Sequence, residues 1–235
     1  NHARREWGVH VENPISLIKR PEKARARDRR FSADEETHLL AALTGGERLA
    51  DGTFSKGARN PWLLPLVKLA IETAMRRGEL LSLTWENVDL KRQTAHLPDT
   101  KNGDPRTVPL STRAVAILQA LPLPEVDEED RDIEEPQRSG PVFPTTALAL
   151  RKGFARAIER AQEQYRADCK QAKRRPAAGF LEDVHFHDTR HEAASRLAEK
   201  LTNVLELSAV TGHKDLRMLK RYYHPRAEDL AKKLG

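Results

Sequence analysis

Residues 187–222 read HDTRHEAASRLAEKLTNVLELSAVTGHKDLRMLKRY, a stretch that combines helix signals with reactive polar side chains. The spacing predicts consecutive short helices, one of which begins after Asn203, a favourable N-cap, and stops at Gly212. His187 and Arg190 are three positions apart, so they share one face at the start of the preceding helix. Because a helix start carries free N–H groups and partial positive charge, these residues predict an anion site there.

An imidazole and a phenol follow this predicted anion site. His213 comes directly after the helix stop, so the turn would direct its imidazole away from the core. Tyr222 lies nine positions further, on another predicted helix, and Tyr223 is next to it. Adjacent helical residues point about 100° apart, so only one of these tyrosines can face the anion. Tyr223 falls on an apolar stripe four positions after Leu219 and is predicted to be the core residue, which leaves Tyr222 as the nucleophile for phosphoryl transfer.

The composition favours a helix-rich protein with a polyanionic partner. The chain has 235 residues, enough for one large or two small domains with a genuine core, and a net charge of +6. Residues 125–135 hold eight acidic residues and one arginine, so the rest of the chain carries a larger positive charge than +6. The single cysteine, Cys169, excludes an internal disulfide and favours a reducing compartment. No apolar run approaches the ~20 residues that span a bilayer, so we expect a cytoplasmic protein without a membrane partner.

The pattern divides the chain into a short N-terminal part and one larger domain. Residues 1–30 are predicted to be the tail of a preceding domain with a basic linker, and 31–235 a domain with an acidic loop insertion at 122–140. Since the sequence begins with Asn1 rather than Met, we expect a fragment. The linker is either a solvated spacer or a segment that lies against phosphates. The second alternative makes Lys19, Arg20, Arg25, Arg27, Arg29 and Arg30 candidate phosphate-binding residues. Arg77 and Arg106 of the larger domain are further candidates for the same polyanion.

Hydrophobic periodicity predicts a mainly α protein with a small three-stranded antiparallel sheet (α+β). The apolar run 61–75 predicts a buried core helix that a break at Gly78 separates from a second short helix, and 145–173 predicts a long amphipathic helix. The change to an extended pattern after Trp85 predicts three strands between these helices, at 88–90, 94–97 and 106–110, with an Asn-Gly turn at 102–103.

Two cations in this region are of functional interest because of their positions. Arg76 follows the buried helix, where an unpaired guanidinium is costly, so it pairs with Glu79 across the turn or meets an anion. Pairing with Glu79 can still leave part of the guanidinium available, so both alternatives remain open. Lys101 lies beside the Asn-Gly turn, on a hairpin that can reach away from the helical body.

Several of these residues together resemble the signature of the tyrosine recombinase (phage integrase) family. The resemblance covers residues 31–235, and it implies the catalytic domain of that family with its fold. It also implies that residues 1–30 hold the tail of the family's N-terminal core-binding domain and a basic linker. Three departures are mild, since Ala74 stands where the family has Gly, Thr189 where it has Leu, and the acidic insertion is not a general feature. The matching motifs, in chain order, are Arg76-x-x-Glu79-Leu80, Lys101 within TKNGDPRTVPLS, His187-x-x-Arg190, Thr211-Gly212-His213 and Tyr222.

The resemblance implies a site-specific DNA recombinase that forms a 3′-phosphotyrosine link and a free 5′-hydroxyl. Such a link conserves bond energy, so no ATP, metal or other cofactor is expected. The implied partners are double-stranded DNA and a homo-tetramer on two DNA sites, with a dimer on each site, which implies association with the nucleoid. The implied catalytic residues are Arg76, Lys101, His187, Arg190, His213 and the nucleophile Tyr222, with Glu79 and His224 as supporting residues.

Residue chemistry agrees with these implied roles. Two guanidiniums remain charged at any working pH and suit the negative charge that develops on a phosphate. A tyrosine has a pKa near 10, so Tyr222 needs a base, for which His187 is the candidate. His213 is the candidate donor to the phosphate, and Lys101 can protonate the departing 5′ oxygen.

Three alternatives remain at the sequence level. A type IB topoisomerase uses similar chemistry without sequence preference, and a DNA-binding module that has lost catalysis would keep the fold. A zinc hydrolase is the third, because His187 and His191 have the i, i+4 spacing of metal ligands and Cys169 or His185 could supply another.

Overall fold

The computed structural model describes residues 2–9, 18–19, 27, 29–46, 57–100, 103–123, 138–223, 231 and 234. Within them, the chain forms helices, a small sheet and two 3₁₀ turns, at Trp85–Asn87 and Leu216–Met218. The helices are α1 (His2–Glu6), α2 (Ala33–Leu43), α3 (Leu63–Thr73), α4 (Arg77–Leu81), α5 (Thr112–Gln119), α6 (Ala147–Gln171), α7 (Asp188–Lys200) and α8 (Val204–Thr211). The strands are β1 (Val88–Asp89), β2 (Thr94–Leu97) and β3 (Arg106–Pro109).

The core is built around the apolar helix α3. Its buried side chains, including the fully buried Leu66, Leu69 and Ala70, meet α2, α5, α6 and α7 on different sides. The long helix α6 packs on α2 through a stripe that contains Leu150, Phe154 and other residues at three- or four-residue spacing. The predicted mainly α architecture is confirmed. Within the described residues, every helix is too short or too polar to cross a lipid bilayer.

The sheet has the strand order β1-β2-β3, and both pairs are antiparallel, as predicted. Ala95 of β2 lies opposite Val108 of β3, and both are fully buried against the helices. The turn between β2 and β3 is closed by the Gly103 N–H, which donates to the Thr100 carbonyl at 2.8 Å. Lys101 and Asn102 lie outside the described residues.

The end of α3 differs from the prediction, which placed the break at Gly78. The break is at Ala74, which is left-handed with φ 53° and whose N–H donates to the Ala70 carbonyl. An L-residue with a side chain rarely adopts this conformation, which gives a physical reason for the glycine that the family has at this position. Gly78 lies inside α4, and Arg76 is the extended residue before that helix. The chain therefore turns at Ala74, and Arg76 leaves the axis of α3.

The segment before Tyr222 also differs from the predicted regular helix. Leu216–Met218 is a single 3₁₀ turn, after which Leu219 is fully buried while Leu216 is 38% exposed. Both tyrosines are half-buried. Tyr222 packs against the cluster that contains Leu207 and Leu219, whereas Tyr223 donates its hydroxyl to the Thr202 carbonyl at 2.6 Å. The prediction of Tyr223 as the core residue was wrong, because the stripe was drawn with the period of an α-helix that does not form.

Three linker arginines are paired with carboxylates of the larger domain. Arg27 pairs with Asp183 and with Asp188, the first residue of α7. Arg29 pairs with Glu35 at 2.5 Å, and Arg30 pairs with Glu192 at 3.2 Å. These contacts join the end of the linker to α2 and α7. The boundary between residues 30 and 31 stays a prediction.

We expect Arg27→Ala to destabilise the fold by about 2 kcal/mol, since it removes the guanidinium beside a buried charge. The Asp188 carboxylate is fully buried and accepts from Arg27 Nε and Nη2, each at 2.7 Å, and from the His185 N–H at 2.8 Å. Urea unfolding measures the loss. The control is Arg92→Ala, because the exposed Arg92 guanidinium lies 3.7 Å from Asp89. This substitution should lower the free energy of unfolding by less than about 0.5 kcal/mol. Equal effects of the two substitutions would contradict this account.

Candidate active site

Arg190 lies where the ends of α3 and α8 meet. Its side chain projects from the first turn of α7 and is buried, with 4% of its surface exposed. Nη1 donates to the Ala74 carbonyl, which the left-handed turn presents, and Nη2 donates to the Thr211 carbonyl at 2.6 Å. Nη2 is also 3.5 Å from His213 Nε2. Two backbone carbonyls therefore fix Arg190, and one edge of its guanidinium lies at the His213 imidazole.

A second cluster is organised by the Glu79 carboxylate. It accepts from the Arg76 N–H at 2.7 Å, which satisfies a free donor at the start of α4, and from Arg76 Nη1 at 2.8 Å. Arg106 of β3 donates to both carboxylate oxygens, at 2.7 and 2.8 Å. The pairing of Arg76 with Glu79 is therefore present, and a bidentate partner from the sheet accompanies it.

Gly212 links the two clusters. Arg76 Nη2 donates to its carbonyl at 3.3 Å. Gly212 is left-handed with φ +68°, and a Cβ there would lie 2.8 Å from Arg106 Nη1. Any other residue would therefore be strained and would push against a paired guanidinium. Glycine therefore lets the turn that carries His213 lie close to Arg106 of β3.

The electrostatics of these clusters leave positive charge without a matching anion. Arg76, Arg106 and Arg190 share a single carboxylate, that of Glu79, among the described contacts. Burial, followed by the charge of Arg76, lowers the pKa of Arg190 to about 10, so it stays protonated at neutral pH. Burial would raise the pKa of Glu79, but hydrogen bonds from Arg106 and the Arg76 backbone hold it at about 2. Buried cations of this kind are stabilised by an anion that enters the site.

His213 is held in a defined orientation by Thr211. Its Nδ1 is 2.7 Å from Thr211 Oγ1, which in turn donates to the Leu207 carbonyl at 2.6 Å. Because a guanidinium only donates, the approach of Arg190 assigns the lone pair to Nε2 and the proton to Nδ1. Burial and the charges of Arg190 and Arg76 lower the pKa of His213 to about 3, so the imidazole is neutral in the free protein.

The Tyr222 hydroxyl meets a histidine that the sequence analysis considered only as a metal ligand. His191 Nδ1 is in close hydrogen-bond contact with the phenol oxygen, and the two rings are 5.9 Å apart. The His213 ring is 6.4 Å from the Tyr222 ring. One indication in the sequence that His191 belongs to the site is that it directly follows Arg190 on α7. The partner is 31 residues away, so local patterns could not identify the contact.

His187 lies at the edge of this arrangement. It directly precedes α7, is exposed, and its ring meets the His191 ring edge-on at 5.2 Å. It lines an open groove of about 770 Å³ together with Arg76 and Arg77. The apolar part of its lining comes mainly from α6, including Phe154. His187 and Arg76 therefore face one shared opening.

The structure brings most of the predicted site residues together. Arg76, Glu79, Arg190, His213 and Tyr222 form one connected set, and His187 borders it through His191. Lys19 and Arg77 are exposed, whereas Arg106 is largely buried against Glu79, and the predicted phosphate contacts of all the basic residues stay predictions. Lys101, His224, Arg20 and Arg25 lie outside the described residues.

The predicted zinc ligands do not assemble. Among the residues that the structure describes, no group of three His, Cys, Asp or Glu side chains could hold a metal ion. Cys169 is buried on the stripe of α6, and His185 is exposed beside Asp183.

We expect Glu79 to make stability depend on acidity. The pKa of Glu79 is about 2 in the fold against an ordinary 4.5, so its contribution is complete above pH 4.5 and disappears as the pH falls through 2. That difference corresponds to a loss on the order of 3 kcal/mol of unfolding free energy. Glu79→Gln should be less stable at pH 7 and should lack this part of the acid-induced loss. Urea unfolding between pH 7 and pH 2 tests it, with the exposed Glu182→Gln as control; parallel curves for Glu79→Gln and the wild type would refute it.

Comparison with known proteins identifies relatives of the whole chain. The model of the phage integrase family matches residues 29–229. The shufflon-specific DNA recombinase of Escherichia coli is 39% identical over 235 residues, which is all of this chain and 50% of that protein. The chain spans about half to three fifths of the length of the first curated relatives that it matches.

Solved structures show the same fold. The catalytic domain of bacteriophage HP1 integrase superimposes with a TM-score of 0.56 at 23% identity, covering 88% of this chain and 94% of that one. A lambda integrase dimer bound to a COC′ core site gives a TM-score of 0.60 at 18% identity, covering 96% of this chain and 69% of that one. From the family match and the 39% identical relative, the chain belongs to the phage integrase family, the tyrosine recombinases.

Proposed function

We propose that this chain is the catalytic part of a site-specific DNA recombinase that cuts and rejoins DNA through a 3′-phosphotyrosine intermediate. The observation that carries the proposal is the net positive charge of three guanidiniums, those of Arg76, Arg106 and Arg190, around the single carboxylate of Glu79. This charge lies next to His213 and Tyr222. Membership of the family and the activity named for its relatives support the same conclusion.

The scissile phosphate occupies the site between the two guanidiniums. Arg76 keeps 20% of its side chain exposed towards the groove, and Arg190 is held rigidly by two carbonyls. Attack on a phosphodiester adds negative charge to the non-bridging oxygens, and fixed, desolvated donors stabilise that charge most strongly. Since Arg76 and Arg106 share the one carboxylate of Glu79, the phosphate is the anion that the remaining charge requires.

His213 becomes a donor only when the phosphate is bound. In the free protein burial, followed by the charges of Arg190 and Arg76, lowers the pKa of His213 to about 3, so Nε2 lacks a proton. A phosphate between Arg76 and Arg190 offsets those charges and favours the protonated imidazole. His213 then donates from Nε2 to a non-bridging oxygen. The site therefore changes the protonation state of His213 on binding.

The covalent steps follow from this arrangement. The Tyr222 oxygen attacks phosphorus, the bond from phosphorus to the 5′ oxygen breaks, and Lys101 on the hairpin supplies the proton to that oxygen. Rejoining is the reverse, with a 5′-hydroxyl as the attacking group. His187 lines the groove with Arg76, where it contacts the substrate. His224, which lies outside the described residues, keeps the supporting role that the family resemblance implies.

Double-stranded DNA is the proposed partner, in a homo-tetramer on two DNA sites with a dimer on each. The lambda integrase relative is a dimer bound to a core site, which supports DNA as the partner. Binding to DNA would place the protein at the nucleoid. The exposed Lys19 and Arg77, and the other predicted basic residues, would contact the DNA backbone outside the scissile phosphate.

A library of nicked duplexes with randomised flanking sequence tests the proposal. A nick near the cleavage position releases a short fragment, so the covalent adduct accumulates. We expect adducts that survive SDS, form in EDTA, are enriched for one sequence and map to Tyr222. Adducts without sequence preference, together with relaxation of supercoiled DNA, would favour the topoisomerase alternative. Duplex binding without any adduct would favour the inactive module.

A further inference from the structure

We propose that His191 is a further catalytic residue, the group that accepts the proton of Tyr222 as the tyrosine attacks. The inference rests on the proposed function, and it concerns a residue that the sequence analysis left outside the site. Its starting point is the close contact between His191 Nδ1 and the Tyr222 oxygen, the atom that forms the new bond.

The hydrogen bond has a defined direction. A neutral phenol donates, so Nδ1 of His191 accepts and carries a lone pair aimed at the proton that must leave. The neutral imidazole then keeps its own proton on Nε2. His191 is only 8% exposed, on the inward side of the helix that also fixes Arg190. The acceptor and the principal phosphate ligand are therefore positioned by one rigid element.

The surroundings keep the lone pair available before DNA arrives. Burial and the neighbouring His187 lower the pKa of His191 to about 4, so its imidazole is unprotonated at neutral pH. The Asp188 carboxylate acts in the opposite direction, whereas Arg221 and Arg190 lower the pKa further. A phosphate held at Arg190 offsets part of this positive charge and makes the imidazole a stronger base at the moment of attack. Proton transfer is thereby coupled to the binding of DNA.

This assignment separates two histidines that the sequence could not rank. His187 was the candidate base, but it is exposed and contacts the edge of the His191 ring, while it lines the groove with Arg76. His191 is the residue in contact with the phenol oxygen. His187 then contacts the DNA substrate in the groove and does not take the Tyr222 proton.

The proton balance closes in both directions. In cleavage the Oη–H bond of Tyr222 breaks, its proton moves to His191 Nδ1, the Oη–P bond forms and the P–O5′ bond breaks. The 5′ oxygen takes a proton from the proposed acid, Lys101. In rejoining the 5′-hydroxyl returns its proton to Lys101, its oxygen forms the O5′–P bond and the Oη–P bond breaks. The departing Tyr222 oxygen then recovers its proton from His191 Nδ1. No oxidant, reductant or further reactant is required.

The test combines His191→Asn with fluorinated tyrosine at position 222. Asparagine places an amide oxygen near the position of Nδ1, so it can accept the hydrogen bond but cannot hold the proton. We expect cleavage of a nicked duplex to slow by about 10²–10³-fold with little change in DNA binding. Difluorotyrosine, which has a lower pKa, should restore most of this loss in His191→Asn but not in His187→Asn. His38→Asn, which changes a histidine hydrogen-bonded to Asp168 away from the site, is the control and should cleave normally.

Several outcomes would overturn the inference. These are wild-type rates in His191→Asn, a loss that fluorination does not relieve, or rescue of His187→Asn instead. A nitrogen-15 NMR measurement on the wild-type protein needs no variant of His191. It should show an unprotonated, hydrogen-bonded Nδ1 that changes in Tyr222→Phe, and a protonated Nδ1 would refute the assignment. If the wild-type chain forms no tyrosine adduct at all, the proposed function fails first, and this inference fails with it.

Discussion

Tyr222→Phe is expected to abolish covalent adduct formation on nicked DNA, with a loss of at least about 10⁴-fold. The substitution removes only the oxygen that attacks phosphorus and keeps the ring that packs against the cluster of Leu207 and Leu219. DNA binding should remain, because the guanidiniums of Arg76 and Arg190 hold the phosphate, not the phenol. The variant should therefore compete with the wild type for DNA while trapping none of it.

Tyr223→Phe is the matched control for that experiment. Its hydroxyl donates to the Thr202 carbonyl, so its loss should lower stability by about 1 kcal/mol without an effect on cleavage beyond about twofold. The readouts are denaturing gels for the adduct, filter binding for affinity and peptide mapping for the attached residue. An adduct on Tyr223, or an intact adduct yield in Tyr222→Phe, would reject Tyr222 as the nucleophile.

Local pattern was sufficient for most of the elements of this fold. The apolar run of α3, the stripe of α6 and the alternating pattern of the hairpin each determine an element within one segment of sequence. The same holds for Asn203, whose side chain caps α8, and for Gly212, whose left-handed backbone ends it. These signals work because backbone hydrogen bonds and side-chain periodicity are local.

The connections within the candidate site could be predicted only in part. Arg76 and Glu79 are three residues apart, so their pairing was one of two open alternatives. The bidentate contact of Arg106 with Glu79 joins β3 to α4, and the contact of His191 with Tyr222 joins α7 to a turn 31 residues later. Both depend on how separate elements pack. A single sequence carries no direct signal of that packing, which is why Arg106 was interpreted only as a DNA contact.

Arg190→Lys is expected to reduce cleavage by about 10³–10⁵-fold although the charge is retained. A guanidinium presents its donors in a planar fork, and Arg190 uses separate nitrogens for the Ala74 carbonyl and for Thr211 and His213. An ammonium group is a single point that cannot reach these partners and the phosphate together. We also expect a stability loss of about 1–3 kcal/mol, because a buried carbonyl loses its donor.

The catalytic loss must be separated from this structural one. Single-turnover cleavage is measured at a temperature well below the unfolding midpoint of the variant. The affinity for DNA is measured at two salt concentrations. Arg151→Lys, an exposed change beside the same groove, should cleave within about threefold of the wild type. If Arg190→Lys were less stable but cleaved at a normal rate, Arg190 would only join α3 to α8, and the positive charge beside Tyr222 would lose its proposed role. A large loss of rate in a folded, DNA-binding variant means that the fork geometry stabilises the transition state, since charge alone is the same in both proteins.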